Sequence, residues 1–172
     1  MPIYAIGDRA PTIDPTAFVH PDAVIIGDVR IGPESSIWPT AVVRGDHGSV
    51  VIGAQTSVQE GTIVHCTRTH PTVIGDRCVI GHKAHLEGCT IHNDSLVGSG
   101  SVVLHRAVVG PNSLVGAGAL VGNDKTVPPH ARALGIPATM TLDVIEDDAF
   151  AATAAHYVGN AHWYSAELRR LD

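Results

Sequence analysis

The sequence contains few aromatic residues and no long apolar run. Aromatic side chains make up 4% of its 172 residues, so the core must be built from smaller aliphatic side chains. No apolar stretch approaches the roughly 18 residues of a membrane-spanning helix. The first residues, MPIYAIGDRAP, lack the basic and apolar segments of a secretory signal peptide. These features predict a cytoplasmic protein that has no membrane partner.

Positive charge and cysteine are also scarce. The 11 lysine and arginine residues are outnumbered by 17 acidic residues, and the net charge is -6. Because a nucleic-acid partner would require a basic surface, none is expected. The cysteines Cys66, Cys78 and Cys89 are odd in number and lack CxxC spacing. They therefore predict buried free thiols in a reducing compartment rather than a disulfide framework.

The dominant pattern in the sequence is a repeat of six residues, which is clearest between Ile91 and Val127. Every sixth residue is aliphatic, and a small residue usually follows four positions later. The aliphatic positions are Ile91, Val97, Val103, Val109, Val115, Val121 and Val127. This period is too short for a helical repeat and fits one short strand plus one turn. A β-sandwich with coincidental spacing is the alternative, and the unbroken register argues against it.

The repeat predicts a mostly β fold, a single-stranded parallel β-helix. Three strands would form one triangular coil, coils would stack at ~4.8 Å, and each coil would need a neighbour to bury its apolar side. Glycine often follows the aliphatic residue directly, as at Gly98 and Gly110. These glycines predict tight turns with positive φ.

The same repeat extends back to Ile13, but two insertions interrupt it. RGDHGS precedes Ile52 and HCTRTHPT precedes Ile74. Departures from a strict repeat usually mark loops that carry functional residues. We therefore expect the candidate chemistry to lie beside these two insertions.

Beyond Val127 the apolar period changes to steps of four and three, which predicts an amphipathic helix. Its apolar positions are Phe150, Ala154, Tyr157, Ala161, Tyr164, Leu168 and Leu171. We predict a β-helix domain at residues 1–140 and a helix within residues 141–172. The helix would pack on the outside of the prism, on its own chain or on a neighbouring one.

The charges around this helix suggest where it begins and ends. Acidic residues precede the apolar positions, and Arg169 and Arg170 follow most of them, as the helix dipole prefers. The acidic residues are Asp143, Glu146, Asp147 and Asp148. Gly159 and Asn160 are expected to kink or break the helix.

Counting in coils of three strands predicts which outward residues stack. Val43, Val64 and Leu86 would lie on one face in consecutive coils, so their followers would form a vertical column. These followers are Arg44, His65 and Glu87. On an adjacent face, Val58 and Ile80 would stack, which would bring Glu60 and His82 into a second column.

Two columns on different faces of one prism point apart. They can meet only if a neighbouring chain presents its second column to the first, and a cyclic homotrimer does this in closed, heterologous contacts. Each cleft would then combine Arg44, His65 and Glu87 with Glu60 and His82 of the next chain. Two imidazoles and a carboxylate are suitable ligands for a divalent metal, and three protein ligands leave a position open for water.

These motifs resemble the gamma-class carbonic anhydrases, a family of trimeric left-handed β-helices. The resemblance covers nearly the whole chain and is most specific at Arg44-Gly45-Asp46, Gln59-Glu60-Gly61, His65 and Gly81-His82-Lys83. It implies a left-handed coil, a homotrimer and a zinc ion between subunits, with iron, cobalt or nickel as alternatives.

The resemblance also implies roles for single residues. His65 and His82 match metal ligands, and Arg44 and Asp46 match a salt bridge between subunits. Gln59 matches the residue that orients the metal-bound hydroxide. Glu60 stands where the family commonly has Asp, and Tyr157 resembles a tyrosine that overhangs the site.

The sequence departs from the family at the third ligand, which is usually His. That position is Glu87 here, and His85 lies on the same side of the strand, so either residue can serve. An anionic ligand donates more charge than imidazole, so metal-bound water should be less acidic.

We predict that the protein acts on a small-molecule substrate and that the reaction is CO2 hydration. Thioester or other acyl hydrolysis at the same site, hexapeptide acyl transfer, and a catalytically weak scaffold are the alternatives.

Overall fold

The computed structural model describes residues 2–172, which form twenty short strands and one helix. The strands are β1 Ile3–Tyr4, β2 Thr12–Ile13, β3 Phe18–Val19, β4 Val24–Ile31, β5 Ser36–Ile37, β6 Val42–Ile52, β7 Ser57–Val58, β8 Ile63–His65, β9 Thr72–Ile74, β10 Val79–Ile80, β11 His85–Glu87, β12 Thr90–Ile91, β13 Leu96–Val97, β14 Val102–Val103, β15 Val108–Val109, β16 Leu114–Val115, β17 Leu120–Val121, β18 Thr126–Val127, β19 Arg132–Leu134 and β20 Thr139–Thr141. The helix α1 is Ala151–Glu167.

The strands stack in three parallel ladders, which confirms the predicted solenoid. The first face is the ladder β6, β8, β11, β14 and β17; the second face is β3, β5, β7, β10, β13, β16 and β19. The third face is β6, β9, β12, β15 and β18. Strand β6 belongs to two faces because it turns the corner between them, pairing with β8 near Val43 and with β9 near Ile52.

The core is formed by the inward aliphatic side chains of the stacked strands. From Ile25 to Val127, no residue at the repeated aliphatic position is more than 3% exposed. At the buried small positions, hydroxyl groups donate hydrogen bonds to carbonyls of the next coil, as from Ser35 to Gly53 (2.6 Å) and from Ser95 to Gly110 (2.8 Å). These bonds satisfy backbone oxygens at the corners that the ladders leave without a partner.

Positive φ angles occur at the corners, although mostly not at the glycines that the sequence singled out. One corner is a column of non-glycine residues with φ between 52° and 60°: Glu34, Gln55, Arg77, Asp94, Asn112 and His130. Gly98 and Gly110 are required for a different reason, since a Cβ on either would lie 2.5 or 2.6 Å from a backbone nitrogen of the next coil. The prediction of positive φ was therefore wrong for these two, and close packing between coils explains them.

Helix α1 packs on the second face of its own chain, over β3, β5 and β7. Ala154 and Ala161 are buried against the prism. Trp38 lies beneath the helix, 4% exposed, with its ring centroid 5.1 Å from that of Tyr164. The Trp38 indole donates to the hydroxyl of Ser57 at 2.9 Å. An aromatic cluster therefore fixes the helix where the sequence could not choose between its own chain and a neighbour.

The ends of the helix differ from the sequence expectation. It begins at Ala151, beyond the acidic residues, and its first turn holds no acidic side chain. It ends at Glu167, before Arg169 and Arg170, and continues unbroken through Gly159. Contacts with the prism, rather than dipole complementarity, therefore determine its limits. Among residues 2–172, no helix has the length and apolarity needed to cross a membrane.

Candidate metal centre

The first column lies on the first face. In-register pairing of β6, β8 and β11 brings Arg44 opposite His65 and His65 opposite Glu87. The side chain of His65 is 16% exposed and that of Glu87 is 24% exposed. Both groups are thus partly shielded from water while still facing outward.

His65 contacts a carboxylate through each of its ring nitrogens. Its Nδ1 lies 2.9 Å from Oε1 of Glu87, and its Nε2 lies 3.1 Å from Oδ1 of Asp46. Arg44 forms an ion pair with the other oxygen of Asp46 in the same chain. An imidazole nitrogen and a carboxylate oxygen at 2.9 Å are also spaced as two ligands of one ion with bonds of about 2.0–2.2 Å. The donor atoms therefore fit a metal once the shared proton leaves.

Electrostatics keep both carboxylates ionised. Burial alone would raise the pKa of Glu87, but hydrogen bonds from His65 and His85 outweigh it, so the pKa lies below its usual value. Burial opposes ionisation of Asp46 as well. Hydrogen bonds from His65 and Arg44 nevertheless hold its pKa well below the usual range. Two anionic groups beside one imidazole favour a bound cation.

The second column lies on the second face, where β7 pairs with β10 and Val58 stands opposite Ile80. Oε2 of Glu60 lies 2.6 Å from Nδ1 of His82, and both side chains are about half exposed. Within residues 2–172, Nε2 of His82 makes no hydrogen bond and faces no carboxylate. A carboxylate on one ring nitrogen fixes the tautomer and leaves the other nitrogen available to a metal.

Gln59 and Tyr157 lie beside this second column. Gln59 is 3% exposed. Burial and the charge of Glu60 raise the pKa of Tyr157, while a hydrogen bond with Gln59 opposes the rise. The Tyr157 ring also packs against Trp38, with 6.0 Å between centroids. The helix thus brings the phenol of Tyr157 close to Gln59 and Glu60.

The two columns lie in different sheets, so His65 and Glu87 lie on a different face of the chain from His82. His65 and Glu87 belong to the first face, and His82 belongs to the second. Arg44 and Asp46 are paired within the chain, beside His65. His85 reaches Glu87, with its Nε2 3.3 Å from Oε2.

Two further histidines lie beside the first column. His47 belongs to the RGDHGS insertion, where functional residues were expected, whereas the sequence did not place His105 there. Asp46, His47 and His65 each offer a ligand atom, and these atoms lie within 4.8 Å of one another. His105 lies 3.6 Å from Glu87 through its buried Nε2, which has no hydrogen-bond partner within residues 2–172. The pairing of Leu86 with Val103 puts Leu104 opposite Glu87 and His105 one residue further along the next coil, so the register indicates the neighbourhood of His105 but not its contact.

The cysteines are not part of this centre. All are free and buried, as predicted: Cys66, Cys78 and Cys89. Burial raises the pKa of Cys78 and of Cys89 to about 12. Since the thiolate is the form that binds a metal, these two act as packed apolar groups.

Comparison with known proteins finds relatives named gamma carbonic anhydrases and relatives with other names, among them CaiE and a hexapeptide transferase family protein. A family model described as bacterial transferase hexapeptide (six repeats) matches residues 88–123. The Arabidopsis thaliana protein named gamma carbonic anhydrase 1, mitochondrial, is 39% identical over 168 residues; the match covers 93% of this chain and 61% of that protein. The chain therefore spans less than two thirds of that relative.

The other relatives match along most of their own length. The carnitine operon protein CaiE of Escherichia coli is 39% identical over 148 residues, which cover 86% of this chain and 76% of CaiE. The crystal structure of a hexapeptide transferase family protein from Anaplasma phagocytophilum has a TM-score of 0.90 and 35% identity. This match covers 95% of the present chain and 98% of that one.

Proposed function

Because the chain belongs to the gamma-carbonic-anhydrase-like family of hexapeptide-repeat proteins, we propose that it is a metal-dependent hydratase that converts CO2 to bicarbonate. The observation that carries the proposal is the pair of half-sites. His65 and Glu87 meet at 2.9 Å on one face, and Glu60 orients His82 on another. His65, Glu87 and His82 are thus divided between two faces, and together they supply two imidazoles and a carboxylate.

The two halves would be joined in a homotrimer, in which each first face contacts the second face of a neighbour. The outward positions that flank His65 on the first face are largely apolar and only partly covered. Ile63 is 38% exposed, and it pairs in register with Val42. His85 occupies the same position in the next coil, and the apolar residues Val102 and Leu120 continue the row beyond it. An apolar strip beside a polar column is typical of the core and rim of a subunit contact.

Each residue would have a distinct role in the joined site. When bound, a divalent ion such as zinc lowers the pKa of its water and so supplies a nucleophile for CO2. His65 and Glu87 of one chain and His82 of the next would hold the ion. Glu60 fixes the direction in which His82 presents Nε2. Gln59 and Tyr157 present an amide and a phenol close to Glu60, where they orient the reacting groups by hydrogen bonds.

Glu87 makes this centre different from one with three histidines. A carboxylate ligand neutralises part of the charge of the ion, so the water acidifies less and the activity should rise at higher pH. Harder ions than zinc are also better accommodated by a carboxylate. Zinc is the first candidate, with iron, cobalt and nickel as alternatives, and a cytoplasmic location remains a prediction.

The proposal is tested by metal content and CO2 hydration. Protein purified without chelator is analysed for metals, and hydration is followed by stopped flow for the native chain and for His65→Ala. We expect bound metal in the native protein and a loss of activity of more than about 100-fold in the variant, because even residues that only support a ligand contribute 10–100-fold. His92→Ala, an exposed histidine on the third face, should change neither property. Metal-free native protein with no hydration activity would contradict the proposal.

Acyl transfer is the second candidate, since the matching family model and the Anaplasma structure both carry the name hexapeptide transferase. Transferases of this class need a histidine that faces an acyl-carrier groove and need no metal. Thioester hydrolysis at the metal site and a catalytically weak scaffold complete the alternatives. Metal content separates the metal-dependent reactions from the others. Acyl release from a thioester, assayed with and without an amine acceptor, then separates hydrolysis from transfer.

A further inference from the structure

An open cavity of about 430 Å³ lies next to the first column, and no part of the proposed hydration chemistry uses it. Its walls are formed by residues from three separate segments: Ile6, Arg9, Asp46, His47 and Arg68. The N-terminal segment contributes a short bridge between Ile6 and Arg9. The other two segments are the RGDHGS and HCTRTHPT insertions, so both interruptions of the repeat converge on this one space.

The charges in this cavity are not balanced. Asp46 is the one acidic wall residue, and it is already engaged by Arg44, His65 and the backbone N–H of His47. Arg9 donates a hydrogen bond to the backbone carbonyl of Asp46. Within residues 2–172, neither Arg9 nor Arg68 forms an ion pair with a carboxylate. Two guanidinium groups therefore face one cavity with their charge uncompensated.

Some arginines of the chain do have carboxylate partners. Arg77 binds Asp94 through two hydrogen bonds of 2.6 and 2.9 Å, and Arg106 binds Asp124 in the same way. Within residues 2–172, Arg132 and Arg169 also form no ion pair with a carboxylate. Arg9 and Arg68 differ from them because both line this one cavity. A guanidinium fork without a carboxylate partner is suited to a carboxylate, bicarbonate or phosphate group from outside, which it can bind through two parallel hydrogen bonds.

We propose that this cavity binds a small oxyanion, held by Arg9 and Arg68. The cavity volume lies in the range of small-molecule sites, about 300–1,000 Å³. Asp46 forms the wall between this cavity and His65, so the anion would sit beside the metal column without replacing any of its ligands. Bicarbonate and the phosphate or carboxylate end of a larger substrate share the required chemistry. The site does not depend on hydration activity.

The test measures anion binding directly. Inorganic phosphate is titrated into the native protein by calorimetry, and 13C-labelled bicarbonate is titrated by NMR line broadening. We expect saturable binding of one anion per chain by at least one of these probes. Tighter binding of phosphate assigns the site to a phosphorylated ligand, and tighter binding of bicarbonate assigns it to the product of hydration.

Variants identify the residues responsible. Arg68→Gln should weaken binding about tenfold or more, since hydrogen bonds to an ionised acceptor are among the strong ones, and the double variant with Arg9→Gln should abolish it. Arg132→Gln removes the same charge from β19, far along the solenoid from the insertions, and should leave binding unchanged. His65→Ala, which disrupts the proposed metal set, should also retain binding.

Three results would overturn the inference: no saturable binding to the native protein, an equal loss in Arg132→Gln, or loss of binding in His65→Ala. The last result would assign the anion to a metal. A protein without hydration activity that still binds phosphate through Arg68 would contradict the proposed function and support the oxyanion site. The two ideas therefore fail independently.

Discussion

The interrupted coils between Val43 and Cys89 and the regular coils between Ile91 and Val127 share one core and differ on the outside. In both regions the inward aliphatic side chains are almost completely buried. In the regular coils, the positions on the first face that follow the aliphatic residue hold Leu104 and Gly122. In the interrupted coils they hold the Arg44–His65–Glu87 column. The insertions are tolerated because they leave the register of the inward side chains intact. The polar side chains of the candidate site lie beside these insertions.

Mixing two inactive variants is the most severe test of the proposal that the metal ligands come from two chains. His65→Ala and His82→Ala should each lose hydration activity by more than about 100-fold, because even supporting residues contribute 10–100-fold. A refolded 1:1 mixture should recover about a quarter of the native activity, since in a cyclic trimer about one contact in four then joins two intact halves. The measurement is stopped-flow CO2 hydration of the mixture against each variant alone.

Unmixed variants refolded in parallel serve as the control. If the mixture is no more active than its components, the ligands do not come from two chains. The single-chain set of Asp46, His47 and His65 would then become the better description of the metal site.

Metal retention tests whether Glu87 is the third ligand. Glu87→Gln keeps the shape of the side chain but removes its charge, and we expect the metal content after dialysis to fall by about tenfold or more. Glu87→His should retain the metal because imidazole is a good zinc ligand. His85→Gln is the matched control. If His85→Gln loses more metal than Glu87→Gln, the third ligand is His85 rather than Glu87.

Adding one methyl group tests the close packing of the interrupted coils against the regular ones. A Cβ on Gly45 would lie 2.3 Å from the backbone oxygen of Asp28, whereas a Cβ on Gly122 would meet no atom within 4 Å. Gly45→Ala should cost about 1–3 kcal/mol of the free energy of unfolding. Gly122→Ala should be nearly neutral. Thermal unfolding checks this, at about 2–4 °C per kcal/mol for a chain of this size. Equal effects would show that the strand pairing at Gly45 relaxes easily.

Acid unfolding compares two ion pairs, one from each region. The pKa of Asp46 in the folded protein lies well below the ordinary aspartate value of 3.8, and the pKa of Asp124 is also lowered. A lowered pKa contributes stability above pH 3.8 that is lost as the pH falls towards the folded value. Asp46→Asn should thus cost about 1–3 kcal/mol near pH 7 and much less in acid. Asp124→Asn should show the same pH dependence to a smaller extent, because the Asp124 side chain is 64% exposed. Urea unfolding of both variants, near pH 7 and in acid, measures the difference.

The repeat predicted the core and the two columns because inward and outward positions follow from the period alone. What it missed depends on contacts between distant residues. The proximity of His105 to Glu87 and the convergence of Arg9 with Arg68 arise from stacking of different coils and segments. The position of helix α1 over Trp38 likewise depends on side-chain packing that no local sequence pattern encodes. The handedness of the coil came from family resemblance, since the period is the same for either hand.

The smallest expected effect concerns the contact that links the two regions. Arg106 belongs to the regular pattern and binds Asp124, yet its Nη1 also lies 3.0 Å from Nε2 of His70 on the second insertion. Because exposed ion pairs contribute less than about 1 kcal/mol, Arg106→Gln should hardly change the unfolding temperature. It should instead increase amide hydrogen exchange in residues 66–71 relative to Arg77→Gln, which breaks a similar pair away from the insertion. Equal exchange in both variants would show that the loop is held by its own bonds, such as that from the backbone N–H of Thr67 to His70.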